Sequence, residues 1–324
     1  MFKKLTICIG LVFVGYFAYS QQMPLYSQYM LNGFQLNSAM AGYDGYTTMN
    51  VTSRQQWVGI ENAPQTYAFT FQTRVLFRSY IIKARPIKGN KLIAARTGRV
   101  GLGVGVFSDR NGYFNQTGAS ISYAYHIPFP NAQLSFGVSG NITQFHINPS
   151  GITFRDPNES KGIGLGVSSY VPDVSAGIFY INRNFYGGFS VANLMQSYIK
   201  FGGQALASYQ LKRNYYLMLG YKFTESVNIV YEPSILVKTT EALLAQVDFT
   251  MKAIYLDNYY FGISYRTGNT FIFNLGFKKG KYYIGYSYDY DFSTFQNLTY
   301  GSHEVNMGIK IGDSAKRYRW LRRF

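Results

Sequence analysis

Segment after segment of this chain alternates large apolar residues with Gly, Ser, Thr or other inward-tolerable residues. Val100, Leu102, Val104 and Val106 alternate with Gly101, Gly103 and Gly105. Tyr282, Ile284, Tyr286, Tyr288 and Tyr290 alternate with Tyr283, Gly285, Ser287 and Asp289. Successive side chains of a strand point to opposite faces, so each segment has one greasy face and one small or polar face. Carried along a whole exported chain, the pattern predicts a β-barrel whose greasy face meets lipid.

Export is read from the first 20 residues. Lys3 and Lys4 form a basic start, and Leu5 to Phe17 is apolar but too short and too early for a working span. Ala18 and Ser20 occupy positions −3 and −1 of a cut before Gln21. The single cysteine, Cys8, lies within this signal peptide, away from the cut, which weakens a lipoprotein reading. The mature chain then has no disulfide, no Cys-ligated metal and no Cys nucleophile.

Charged residues are only 14 % of the chain and aromatics 18 %, against about 25 % charged in a soluble domain. No later segment offers about 18 consecutive apolar residues, which excludes a helical membrane protein. The remaining pattern divides into an N-terminal periplasmic or plug segment 21–45, a barrel 46–312 and a basic tail 313–324. About 14 antiparallel strands are predicted, near 46–57, 64–77, 98–108, 115–127, 131–144, 172–181, 184–192, 214–223, 226–237, 241–252, 257–266, 269–279, 281–290 and 303–312. An even count suits a bacterial single-chain barrel, as does the alternation of short and long connections. Long links are expected at 109–114, 145–171, 193–213 and 291–302. Short ones are expected at 128–130, 182–183, 224–225, 253–256 and 280. The link 78–97 breaks the rule, being long on the periplasmic side.

The N-terminal segment contains Ser27-Gln28-Tyr29-Met30, Asn32 and Asn37-Ser38-Ala39, followed by Ala41-Gly42. Next come Arg54-Gln55-Gln56-Trp57-Val58-Gly59 and Ala63-Pro64-Gln65-Thr66. Gly285-Tyr286-Ser287-Tyr288-Asp289 and Gly301-Ser302-His303-Glu304-Val305 stand near the end. In this order, in an exported barrel of this length, they resemble the PorP/SprF family of type IX secretion system outer-membrane proteins of the Bacteroidetes. Relatives commonly carry Asn-Pro-Ala where this chain has Asn37-Ser38-Ala39, and 78–97 looks expanded. The resemblance implies a non-enzymatic outer-membrane component that assists secretion or surface attachment of cargo, such as adhesins linked to gliding motility. It implies partners of three kinds: the secreted cargo, periplasmic and outer-membrane secretion components, and outer-membrane lipid. The alternative is a pore or transporter for small solutes.

Ser27, Gln28, Tyr29, Asn37, Arg54, Trp57, Asp289, Ser302, His303 and Glu304 are the candidate partner-binding residues of these motifs. Lys83, Arg85, Lys88 and Lys91 join them from the connection 78–97, which has no acid between Glu61 and Asp109. That basic run, and the tail with Lys316, Arg317, Arg319, Arg322 and Arg323, suits anionic headgroups or an acidic periplasmic face; nucleic acid does not suit an exported barrel. Trp57 fits either an interfacial anchor or a partner contact. Arg54 is expected to face the lumen, since a lipid-facing Arg at mid-depth costs about 2–4 kcal/mol. Ser302, His303 and Glu304 cannot form a triad among themselves, because neighbours on a strand point to opposite faces. His126 and His146 stand alone, and no metal-binding or phosphate-cradling motif appears, so no cofactor is expected. Gly162 to Gly166 reads as a surface loop.

Overall fold

The computed structural model describes residues 26–75, 99–148, 168–200, 208–226, 228–241, 245–292 and 298–312. The signal peptide, the connection 78–97, the Gly162–Gly166 run and the tail 313–324 lie outside the described residues.

Strands β1 (Thr47–Gln55), β2 (Gln65–Val75), β3 (Val100–Asn111), β4 (Phe114–Pro128), β5 (Ala132–Ile147), β6 (Ser168–Asn182) and β7 (Phe185–Ala192) follow one another as antiparallel neighbours. A small hairpin, β8 (Tyr198–Lys200) and β9 (Ser208–Gln210), precedes β10 (Asn214–Tyr221) and β11 (Phe223–Thr224). The second half comprises β12 (Ile229–Thr240), β13 (Ala245–Tyr255), β14 (Tyr259–Arg266), β15 (Thr270–Lys279), β16 (Tyr282–Asp291) and β17 (Ser302–Ile311). β10 pairs both β7 and β12, and β17 returns to β1, so the sheet closes into a barrel with 14 positions around its wall. Closure leaves no sheet edge in the lipid, where an unpaired backbone group costs several kcal/mol.

The alternation resolves as expected. Val51, Ile121 and Met251 point outward and are more than half exposed, while Asn50, Thr52, Ser122, Thr250 and Asn306 point inward and are buried. Aromatic contacts gird both ends of the outer face. Tyr265, Phe271, Tyr290 and Phe292 cluster at one end, and Tyr259–Phe277 and Tyr221–Phe223 pack at the other. The strands join by short links at 129–131, 183–184, 256–258 and 280–281 at the end where β1 begins and β17 finishes, the end the sequence reading assigns to the periplasm.

Three details differ from the sequence expectation. β3 and β4 are joined by Gly112 and Tyr113 alone, with Asn111 opposite Phe114, so 109–114 is a tight turn on the outer side. Gly112 takes φ +61°, a left-handed conformation favourable to glycine. The link 193–213 carries the β8–β9 hairpin, whose Ile199, with Leu211, packs on Phe145 and Val171. The eighth wall strand is interrupted between β10 and β11, opposite Glu232 and Pro233. Pro233 has no N–H to donate, and Lys222 turns inward to within 3.5 Å of Glu232.

Ile121 lies at the centre of β4 on the lipid face. Ile121→Arg should therefore cost about 2–4 kcal/mol in a folding titration into bilayers, against about 0–1 for Asn131→Arg in the β4–β5 turn. Equal cost at the two positions would contradict the assigned faces.

Candidate functional site

Residues 26–46 run within the ring of strands, from the outer level down to the periplasmic end. They make two short 3-10 turns, Gly33–Gln35 and Ser38–Met40. The upper end is held by charge. Glu304 accepts the backbone N–H of Ser27 at 2.6 Å on one carboxylate oxygen and that of Gln28 at 2.9 Å on the other. Ser27 Oγ donates to Asp289 at 2.6 Å and accepts from Arg54 at 2.6 Å. Arg54 also pairs with Asp289 at 2.8 Å and Glu304 at 3.4 Å. Arg266 grips Asp248 with two nitrogens, lies 3.7 Å from Asp289 and donates to the Tyr26 carbonyl. All five charged side chains are under 10 % exposed.

Sequence and strand register place these charges. Arg54 stands directly opposite Glu304 on β1 and β17, Asp248 opposite Arg266 on β13 and β14, and Asp289 opposite Ser302 on β16 and β17. All lie on inward-facing positions, so Arg54 meets Glu304 and Asp248 meets Arg266 across the ladder, while Asp289 reaches Arg54 and Arg266 over the inner face. Inside a low-dielectric wall such charges are tolerable only when paired and hydrogen-bonded.

The lower end is held by shape and backbone polarity. Asn37 donates to the carbonyls of Ile178 and Phe189 and accepts from the N–H of Ala39. It fits there because Gly177 and Gly188 lack side chains: a Cβ on either would run into the Asn37 amide. Similarly, a Cβ on Gly137 would strike the backbone of Ser38 and Ala39, one on Gly101 the Ala41 carbonyl, and one on Gly103 the Phe34 ring. Ser190 donates to the Leu36 carbonyl, His126 lies 3.0 Å from the Ala41 carbonyl, Gln72 accepts from the Gly42 N–H, and Asp44 lies 3.6 Å from Lys310. Tyr29, Phe34, Ala39, Met40 and Ala41 form an apolar core with Ala124, Phe179, Ile181, Tyr186, Met218 and Leu236 of the wall.

The sequence candidates thus separate. Ser27, Gln28, Arg54, Asp289 and Glu304 meet in one cluster. Tyr29 lies beside it, with its hydroxyl 3.2 Å from that of Ser234, and Asn37 sits deeper. Ser302 accepts the N–H of Trp57, which lies beyond β1 at φ +48° with its side chain 36 % exposed. His303 faces outward, 2.7 Å from the Tyr286 hydroxyl, while Glu304 faces inward, so the Ser302–His303–Glu304 run is no triad. Lys83, Arg85, Lys88 and Lys91 lie outside the described residues. Asp248 and Arg266 were not singled out from sequence. The signal available was an acid and a base on inward parities of adjacent strands.

A model of the family described as type IX secretion system membrane protein PorP/SprF matches residues 18–309. The chain belongs to that family. No curated protein matches it. Among solved structures it is similar to the Acinetobacter baumannii outer membrane protein Omp33, at 9 % identity over 83 % of this chain and 100 % of that one, TM-score 0.43. It is also similar to the Pseudomonas putida toluene transporter TodX, at 10 % identity over 89 % and 94 %, TM-score 0.42. A third is the Escherichia coli outer membrane phospholipase A, at 9 % identity over 86 % and 99 %, TM-score 0.34. The barrel architecture of this PorP/SprF member rests on its own strand pairing. As a closed barrel with an apolar outer face in a family of secretion-system membrane proteins, it is an integral outer-membrane component of type IX secretion.

Two outcomes check the site. Arg54→Ala leaves Glu304 without its nearest cation and should lower stability by about 3–5 kcal/mol in a urea titration of the protein in vesicles. Gly137→Leu should leave the wall intact but drive residues 37–41 out of place. Chymotrypsin would then cut at Tyr29 or Phe34, sites protected in the parent; unchanged protection would mean that the fit at Gly137 does not hold the segment.

Proposed function

We propose that the protein is a non-catalytic docking barrel. Its outer connections receive or hold a secreted cargo, such as an adhesin, while its periplasmic end binds other parts of the secretion apparatus. Residues 26–46 act as a plug. The observation that carries this reading is the way they are tied into the wall at both ends, by the Arg54–Asp289–Glu304 cluster above and by Asn37, His126 and Gln72 below. A lumen filled in this way favours binding over solute flow, and family membership supplies the secretion context.

The periplasmic end is basic. Lys279 and Lys281 are exposed and Lys278 half-buried around the β15–β16 turn, and Arg183 is exposed on the β6–β7 turn. The connection 78–97 adds Arg85, Lys88 and Lys91. Such a rim attracts an acidic protein face through charge that salt screens over about 8–10 Å.

Two measurements test the reading. In planar bilayers the full chain should give no stable ion channels; steady porin-like conductance would favour the solute-pore alternative. Charge reversal at Arg85, Lys88 and Lys91 together with Lys279 and Lys281 should leave assembly intact, lower co-purification of periplasmic secretion components and reduce cargo display. Raised salt in the pull-down should reproduce the loss. Full partner recovery in that variant would remove the rim from the docking surface.

A further inference from the structure

The lumen is not filled evenly. On the side away from the Arg54 cluster, between the inner segment and strands β3 to β7, a chamber of about 120 Å³ lies in the outer half of the barrel. Its wall presents hydroxyls and amides, among them Ser120, Ser139, Asn141 and Ser175. Among the described residues no lysine, arginine or histidine lines it. Asp173 does, and it is 5 % exposed. One of its carboxylate oxygens accepts the N–H groups of Val174 at 2.6 Å and Met195 at 3.2 Å. The other has no hydrogen-bond partner among the described residues.

The comparison with the other buried acids is informative. Asp44, Glu232, Asp248, Asp289 and Glu304 each have a lysine or arginine within 4 Å. Asp173 alone among the described buried acids has none. A buried carboxylate without a countercharge is costly, and a buried acceptor left open calls for a partner. Asp173 belongs to the lining of the chamber, so a small turn of its side chain brings the free oxygen to whatever enters there.

We infer that the chamber is a recognition site for a cationic side chain, the ammonium of lysine or the guanidinium of arginine, carried by a secreted polypeptide. Asp173 supplies the charge, and the surrounding hydroxyls and amides hydrogen-bond the peptide groups on either side. A polypeptide suits the space better than a free ion. Tyr26, Gln35, Leu36 and Ser38 of the inner segment already line the same chamber, so a peptide chain fits against this wall, whose apolar stretches among the hydroxyls suit side-chain stems as well as peptide groups. This inference rests on the cargo-binding reading and deepens it. If secretion components still co-purify while the assay below fails, only the chamber assignment is lost.

Cys8 is the only cysteine of the sequence, so Cys8→Ser with Ser139→Cys gives a single thiol in the chamber wall. The folded, detergent-solubilised protein is treated with cationic and anionic methanethiosulfonates of equal size. The cationic reagent should gain about tenfold over its ratio at a surface control, Asn131→Cys, as one poorly screened charge nearby requires. Asp173→Asn keeps the acceptor for Val174 and Met195 and should remove that gain. A glycine–serine hexapeptide bearing one arginine should slow the modification, whereas its citrulline counterpart and guanidinium chloride at equal concentration should not. Asp173→Asn should also leave the unfolding midpoint unchanged or higher, while Glu304→Gln lowers it. An unreactive thiol, equal reagent ratios, protection by citrulline or no protection overturns the site. Protection by guanidinium equal to that by the peptide overturns the polypeptide as its ligand.

Discussion

In the hydrocarbon layer a backbone N–H or C=O has no water to turn to, and everything else in this protein follows from meeting that demand with strands alone. A sheet in lipid must close on itself, which β17 achieves by pairing with β1 along the whole of that strand. Closure fixes two faces. The outer one must be apolar, and the inner one faces an enclosed space that must hold water, side chains or more chain. Here much of the space is taken by the protein's own residues 26–46, and the inner face is shaped to receive them. Glycine and alanine stand where backbone comes close, as at Gly101, Ala124, Gly137 and Gly177, and charged or hydroxyl groups where backbone polar groups need partners.

The inner charges are arranged as local pairs. Glu232 holds Lys252 from the adjacent strand, Asp248 holds Arg266, and Arg54 holds Glu304. Each pair spans neighbouring strands in register, so it also favours one alignment over a slipped one, since a one-residue slip would turn the slipped strand's charge to the lipid and leave its partner unpaired inside. The two ends of residues 26–46 use different physics. The upper end is bound by charge-assisted hydrogen bonds, which are short and strong but depend on every member being present. The lower end is bound by close fit and by single amide contacts, which depend on the absence of side chains opposite.

The wall was legible in the sequence because period-two alternation is a property of each strand taken alone. Val100 to Val106 and Tyr282 to Tyr290 announce their faces without reference to any other segment. The lumen was less legible because its logic joins distant residues. The alternating glycines of β3 were visible, but that Gly101 and Gly103 clear room for Ala41 and Phe34 depends on a contact no local pattern encodes. Arg54 could be placed inside from the cost of exposing it to lipid. Its partners Asp289 and Glu304 lie more than two hundred positions away, and only the closing seam brings them near. The β8–β9 hairpin was missed because three-residue strands carry too little alternation to read, and the Gly112 turn because the flanking strands run further toward it than their apolar pattern does.

Residues 26–46 descend through the ring before β1 climbs back beside them, and the acid that caps Ser27 lies 277 positions further along. The upper fastening is drawn from β1, β16 and β17, the strands on either side of the β1–β17 seam, so it exists only in the closed ring. The chain lies so close to Gly137, through its backbone, and to Gly177, through the Asn37 amide, that a Cβ at either would collide with it. In the closed barrel the wall is thus fitted around its contents, each inner face cut to the stretch of residues 26–46 it meets. The pairing that shuts the ring joins the two ends of the body, and contacts of such long sequence separation carry the largest loop-closure cost in the sheet.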